Sequence, residues 1–365
     1  MSPPNPAPTP VLEIRDLRTH FAVSQNVVDR LRNGPRTVHA VDGVSLTVNR
    51  GETVGLVGES GCGKSTLGRS ILRLIQPTMG EVHIDGTDVM RASKEQLRNL
   101  RRRAQIIFQD PSSSLNPRLT VGQTLQEPLA IFNVTERSGR KARVTELLRQ
   151  VGLPADAADR YPHQFSGGQR QRIGIAAALA LEPLLIVADE PTSALDVSVQ
   201  AQILNLLEQL QQSLGLAYLF ISHNLEVVHH LSDRVAVMYL GKIVETAPTD
   251  VLFAQPLHPY TRALISAVPN PDPDTPHTPM LLEGEVPSPL NPPPACRFHP
   301  RCPIARSICG QQEPALLSDE AGHVVACHAV AWARAQAKPG EPLPDPARWR
   351  DASIVSTQER RCHGD

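Results

Sequence analysis

Gly58-Glu59-Ser60-Gly61-Cys62-Gly63-Lys64-Ser65-Thr66 reads G-x-x-x-x-G-K-S, the spacing of a phosphate-cradling P-loop. The apolar run Thr53-Val54-Gly55-Leu56-Val57 before it suits a buried parallel strand. Residues 66–75 after it have helical periodicity, with Leu67, Ile71, Leu72 and Ile75 on one side. Strand, glycine loop and helix are the context this motif requires. Glycines let backbone N–H groups converge on phosphate oxygens, and the helix N-terminus adds positive partial charge. Lys64 is placed to reach the β- and γ-phosphates, and the Ser65 hydroxyl to ligate Mg²⁺. Cys62 reads as a spacer whose backbone N–H matters. The pattern implies a bound nucleoside triphosphate.

Moving outward, Val11–Leu17 alternates in strand fashion and ends near Phe21, residues 24–37 read as a loop or insertion, and Val38–Val48 as two short strand pieces. Residues 78–80 read as a turn, 81–84 as a short strand, 93–103 as a basic helix, and 105–108 as a strand closing on Gln109. Between Gln109 and Ser166 helical segments at about 121–130, 137–150 and 155–160 form an insertion. After it, the run 184–188 is a buried strand that delivers Asp189 and Glu190 at its carboxyl end. There one carboxylate can hold Mg²⁺ and the next polarise a water. Residues 200–214 form an amphipathic helix ended by Gly215, 216–221 a strand, 224–231 a helix, and 233–238 with 242–245 a strand pair. Strands alternating with helices predict an α/β fold with a mostly parallel sheet.

Bulk composition narrows the function classes. The chain has 365 residues, and 36 Lys+Arg against 37 Asp+Glu leave a net charge of −1, so no global basic field calls for nucleic acid. The proline-rich lead-in shows neither a basic n-region nor an apolar h-region. No apolar run approaches the roughly 18–20 residues of a membrane span. These readings lead to an expectation of a cytosolic chain whose link to a membrane runs through partners. Ten prolines fall between Pro269 and Pro294, an extended connector. Of the six cysteines, Cys296, Cys302, Cys309 and Cys327 cluster near the C-terminus, close to His299 and His328. Structural disulfides do not suit a reducing compartment, so a metal is the reading. The spacing does not match the common C-x₂-C zinc pairs. An all-thiolate set suits a [4Fe–4S] cluster, with zinc second and free thiols third.

Phe165-Ser166-Gly167-Gly168-Gln169 resembles the signature of ABC-type ATPases, and it precedes Asp189-Glu190 at the spacing those proteins use. Ser193-Ala194-Leu195-Asp196 resembles their D-loop, His223 their switch histidine and Gln109 their Q-loop glutamine. Ser166 opens a helix, so Ser166, Gly167 and Gly168 offer a second anion cradle. The resemblance implies its use: two subunits pack head to tail, and each signature caps the γ-phosphate held by its partner's P-loop. It also implies that His223 contacts the γ-phosphate, that Gln109 senses Mg²⁺ and the attacking water, and that Glu190 is the base. Phe21 is the adenine-stacking aromatic by position, against the plain reading of a strand-end core Phe.

The stretch 109–118 (QDPSSSLNPR), with His258-Pro259-Tyr260-Thr261 and Gly284-Glu285-Val286-Pro287-Ser288-Pro289, is similar to oligopeptide/dipeptide permease ATP-binding subunits, nearest the second-encoded of their two ATPases. Importers of nickel and glutathione share these motifs. The resemblance, covering residues 11 to about 330, also tips the cysteine cluster toward Fe–S. It implies a non-identical partner ATPase, two transmembrane permease subunits docked on the helical insertion, and an extracytoplasmic solute-binding protein. The chain is then peripheral, at the cytoplasmic face of the inner membrane.

The resemblance implies a P-loop ATPase fold with an antiparallel β subdomain beside the mostly parallel core. The expected organisation is a lead-in over 1–10, an ATPase domain over 11–256 with a helical subdomain at about 110–168, a Cys-containing extension over 257–330, and a solvated, poorly ordered tail over 331–365. Two departures stand out: Ala177 where the signature helix usually carries Arg, and Asn224 where Asp usually follows the switch histidine. The rival class is a soluble ABC ATPase of DNA repair or translation. It is disfavoured by the single cassette and short insertion, as a non-hydrolysing regulatory ATPase is by the presence of Glu190, His223 and the signature.

Overall fold

The computed structural model describes residues 10–26, 36–110, 114–268, 279–337, 343, 345, 346 and 348. Residues 1–9 of the expected lead-in, much of the 24–37 loop, residues 111–113, part of the proline connector and most of the tail lie outside them.

Among the described residues the strands form two sheets. One runs β2 (Thr37–Asn49), β1 (Pro10–Ala22), β4 (Met79–Ile84), β5 (Thr87–Asp88), all antiparallel. Residues 38–48 form part of one strand rather than two pieces. Register shifts at the Ile14/Leu17, Leu17/Arg18 and Thr19/His20 steps bend it without ending it. Met79 and Gly80, read as a turn, already belong to β4, because Met79 pairs with Arg18.

The larger sheet places β3 (Thr53–Val57) between β9 (Arg234–Tyr239) and β8 (Ala217–Ile221), followed by β7 (Leu185–Asp189) and β6 (Ala104–Ile107). These five are parallel. Every residue of β3, β7 and β8 is buried, as strands covered on both faces by helices must be. The chain leaves the carboxyl ends of β3, β7, β8 and β6 at one edge of this sheet. That edge is where ligands bind in open α/β sheets. On the far side, β10 (Lys242–Pro248) pairs antiparallel with β9 and with β12 (Val324–Val325), which pairs with β11 (Leu317–Ser318). The extension is therefore stitched into the main sheet.

The helical insertion packs the helices Val121–Ile131 and Arg140–Gln150 and a 3₁₀ turn at Ala155–Asp159 around Leu125, Leu129, Val144, Leu147 and Leu148, which are essentially inaccessible to solvent. Thr120 and Gln123 form a reciprocal capping box at its first turn. In the extension, Pro259–Ser266 is helical. Packed structure continues past residue 330: the helix His328–Gln336 buries Ala329, Val330 and Ala333, so the expected tail starts later.

Candidate active site

Two glycines of the P-loop are required by space as well as by conformation. Gly58 has φ +153° and Gly63 φ +110°. A Cβ at Gly58 would lie 2.1 Å from the Met238 carbonyl, and one at Gly63 2.0 Å from that of Ala40. The loop thus closes on the backbones of β9 and β2. Cys62 is buried beneath it, its N–H on the Glu59 carbonyl at 3.3 Å and its thiol 3.7 Å from the Lys64 ammonium. Burial pushes that thiol up, against the pull of Lys64. Lys64 Nζ donates to the carbonyls of Gly58 (2.7 Å) and Glu59 (3.0 Å), which holds the cation at the loop.

A cavity of about 450 Å³ opens here, with Ser60, Gly61, Gly63, Lys64, Ser65 and Thr66 on its P-loop side. Gln109, Glu190 and His223 from three strand ends also line it, with Val38, Ala40 and Pro289 completing the wall. Gly58, Glu59 and Cys62 shape the loop from behind. Asp189 is fully buried at the end of β7 and accepts a 2.7 Å hydrogen bond from the Ser65 hydroxyl. Burial raises the Asp189 carboxyl above its ordinary value, opposed by that hydroxyl and by Arg69 at 3.6 Å. Its Oδ2 faces Arg69 at 3.6 Å but has no hydrogen-bond partner, so one carboxylate oxygen beside Ser65 is without a hydrogen bond. That donor set fits a Mg²⁺ ion, which takes one or two carboxylates alongside substrate phosphates.

Glu190 stands at φ +47°, a left-handed conformation that costs on the order of 1–3 kcal/mol for a side chain with a Cβ. A backbone bond from its N–H to the Ile221 carbonyl, 3.0 Å, ties the strained residue to β8. Its Oε2 accepts from Gln109 Nε2 at 2.9 Å and lies 3.2 Å from His223 Nδ1. Three residues separated by 81 and 33 positions thus meet on one carboxylate. Asn224 caps the helix Leu225–Leu231, its side chain accepting from the N–H groups of Glu226 (2.9 Å) and Val227 (3.3 Å). An amide oxygen caps as a carboxylate does, which explains why this departure is tolerated.

The signature stands apart from this cavity. Ser166 caps the helix Gly167–Leu179 in a capping box with Gln169, and Gly168 lies close enough to Val199 that a Cβ there would come within 2.3 Å of it. Asp196 caps the neighbouring helix, Val197–Leu214, without a side-chain hydrogen bond. Neither segment lines the P-loop cavity of its own chain. Ala177 lines a separate groove with Phe108, Leu115, Pro128 and Gln171, between β6 and the helical insertion. Phe21 is 39% exposed at the end of β1, opposite Val38 in the ladder, and is not itself part of the cavity wall.

Several residues at the site escaped the sequence reading. The Glu59 N–H donates to the Tyr260 hydroxyl at 2.8 Å, and its carboxylate receives Arg301 Nη1 at 2.9 and 3.1 Å. Arg297 pairs with Asp42 and with the Leu240 carbonyl. Glu245, with no solvent exposure, accepts from Leu257 N (2.7 Å) and His258 N (3.0 Å) and meets His323 Nε2 at 2.6 Å. These partners lie 12 to 255 positions apart, and only Glu59, His258 and Tyr260, inside quoted motifs, carried any local signal.

Comparison with known proteins agrees with this geometry. Residues 41–193 match the ABC transporter family, and residues 244–309 match the oligopeptide/dipeptide transporter C-terminal region. The chain is 55% identical over 325 residues to a probable peptide ABC transporter ATP-binding protein of Sinorhizobium fredii, covering 89% of this chain and 91% of that one. It is 51% identical over 321 residues to the oligopeptide transport ATP-binding protein AppF of Bacillus subtilis, covering 87% and 97%. Among solved structures, the dimeric bacterial ABC transporter cassette MJ0796 superposes with a TM-score of 0.57 at 30% identity, over 65% of this chain and 98% of that one. The protein is an α/β ABC-type P-loop ATPase and belongs to the oligopeptide/dipeptide family of ABC transporter ATP-binding proteins.

Proposed function

We propose that this chain is the ATP-hydrolysing subunit of an importer for di- and oligopeptides or similar small solutes, nickel and glutathione among them. The observation that carries the reading is the single cavity on which the P-loop, the Ser65–Asp189 pair and the Gln109–Glu190–His223 set converge. Lys64 and the loop N–H groups hold the phosphates. Ser65, Asp189 and Gln109 would hold Mg²⁺, which supplies charge neutralisation at the β- and γ-phosphates. Glu190 takes the proton of the attacking water, with Gln109 and His223 fixing its carboxylate. Ser166, Gly167, Gly168 and Gln169, which do not reach the cavity of their own chain, cap the nucleotide of a partner, and Asp196 lies at that junction.

The partner is a second, non-identical ATPase; two transmembrane permease subunits and an extracytoplasmic solute-binding protein complete the importer. No described helix is long and apolar enough to cross a membrane, which suits peripheral attachment at the cytoplasmic face of the inner membrane. The groove beside Ala177, lined by Phe108, Leu115 and Pro128 together with the polar Gln105, Ser114, Thr124 and Gln171, is offered to a helix from a permease loop. Ala177, shorter than the usual Arg, leaves it open. The oligopeptide-type C-terminal region favours this reading over a soluble ABC ATPase.

The four clustered cysteines are read as [4Fe–4S] ligands. Cys296 N–H donates to the Cys309 carbonyl at 3.0 Å, and burial pushes the Cys302 and Cys327 thiols up to about 12, each also disfavoured by the neighbouring thiols. Tetrahedral zinc with Zn–S near 2.3 Å needs sulfur atoms about 3.8 Å apart. Among the described residues no three-residue set with ligand atoms within 4.8 Å includes these cysteines. Iron analysis with anaerobic absorbance tests the cluster: colourless, iron-free protein would end this part of the reading. For the whole reading, affinity purification of the tagged native chain in detergent should recover two integral membrane subunits and a second ATPase. Recovery of soluble or ribosomal partners alone would overturn it.

A further inference from the structure

The cavity wall divides into two chemistries. Lys64, Ser65, Gln109, Glu190 and His223 make a polar end, tied together by the contacts of Glu190 and Asp189. Val38, Ala40 and Pro289 make an apolar end. Val38 and Ala40, on either side of His39 in β2, both line the cavity, and Phe21 stands directly opposite Val38 in the ladder. Pro289 belongs to the C-terminal extension. Its carbonyl accepts a 3.0 Å hydrogen bond from the His39 N–H, between Val38 and Ala40. The turn that follows is fixed by bonds from Leu290 N to Ser288 Oγ (3.2 Å) and from Asn291 N to the Ser288 carbonyl (3.2 Å).

We propose that Pro289 covers the nucleobase of ATP in cis, so that the extension, anchored far away in sequence, forms part of the nucleotide site. The inference rests on the reading of this cavity as the ATP site. A triphosphate held by the P-loop leaves its base at the apolar end. The rigid proline ring then packs against that base with Val38 and the neighbouring Phe21, at little cost in side-chain entropy. Val38, Ala40 and Pro289 have no side-chain hydrogen-bonding groups, so the cover holds by contact and does not distinguish adenine from guanine.

Calorimetric titration of the full chain with Mg-ATP, Mg-GTP and inorganic tripolyphosphate tests this. Pro289→Ala keeps the carbonyl and removes most of the ring. It should weaken ATP and GTP alike by about fivefold, the worth of some 40 Å² of apolar contact, and leave tripolyphosphate binding unchanged. Pro289→Val, which restores apolar bulk, should recover most of the loss. An unchanged ATP affinity in Pro289→Ala, or an equal loss for tripolyphosphate, would overturn the role of Pro289. Tripolyphosphate binding that is insensitive to Lys64→Ala would instead overturn the assignment of the cavity, and the inference with it.

Discussion

At the P-loop, the loop residues are consecutive, and the groups they meet arrive on the ends of buried parallel strands: Gln109 after β6, Glu190 after β7, His223 after β8. In the extension, regular structure is sparse. Besides the β12–β10 pairing, attachment runs through a few polar pins: the buried Glu245 beneath Leu257 and His258, Asp42 against the buried Arg297, and the partly exposed Glu59 against Arg301. One region is positioned by packing and backbone pairing; the other adds ionic and hydrogen-bonded pins to a single short strand pairing and a few core side chains. Buried pins of this kind are costly to break singly, because the remaining partner is left uncompensated, so the two regions should fail in different ways.

The largest expected difference comes from Glu245→Ala. It orphans two backbone N–H groups and His323 in a site with no solvent access. The expected cost is about 4 kcal/mol, seen as early release of the extension in limited proteolysis while the cassette stays resistant. Simultaneous digestion of both regions would show that they are one cooperative unit.

Acid should act on the extension next. His258 Nδ1 accepts from the Tyr260 N–H at 3.1 Å and the ring is fully buried, so burial lowers its pKa from 6.5 to about 4, against the pull of Glu245. The unfolded chain then binds this proton first. Stability is complete above about pH 6.5 and is lost as pH falls toward 4, by about 3 kcal/mol from this group. Thermal melts across that window should show a slope that His258→Asn flattens; an identical slope in the variant would remove His258 as its source.

A smaller effect is expected where the two regions touch. Arg301→Gln removes a charged bond to the partly exposed Glu59 carboxylate, worth about 1 kcal/mol. ATP affinity should fall by no more than about fivefold, with little change in melting temperature. A melting loss as large as that of Glu245→Ala would mean that Arg301 holds the extension itself.

The same contrast explains what could be read from the chain beforehand. Gly58 to Thr66, Asp189-Glu190 and His223 were legible because their chemistry depends on local spacing and on apolar runs that end at the site. The mostly parallel sheet followed from the alternation of strands with helices, and the insertion from the helical character of its segments. Pro289, Tyr260, Arg297 and Arg301 were not legible as site residues, since each acts on a group between 201 and 255 positions away. Phe21 lay between these cases: its strand was readable, but its position relative to the cavity depended on pairing with Val38 across a loop.

Hydrolysis by the purified native complex carrying Glu190→Gln tests the central claim most directly, since an amide keeps the shape of the side chain but cannot take a proton from water. ATP binding should match the wild type while turnover drops by at least about a hundredfold. Turnover at the wild-type rate would contradict the assignment of Glu190 as the base and of this cavity as the site of chemistry.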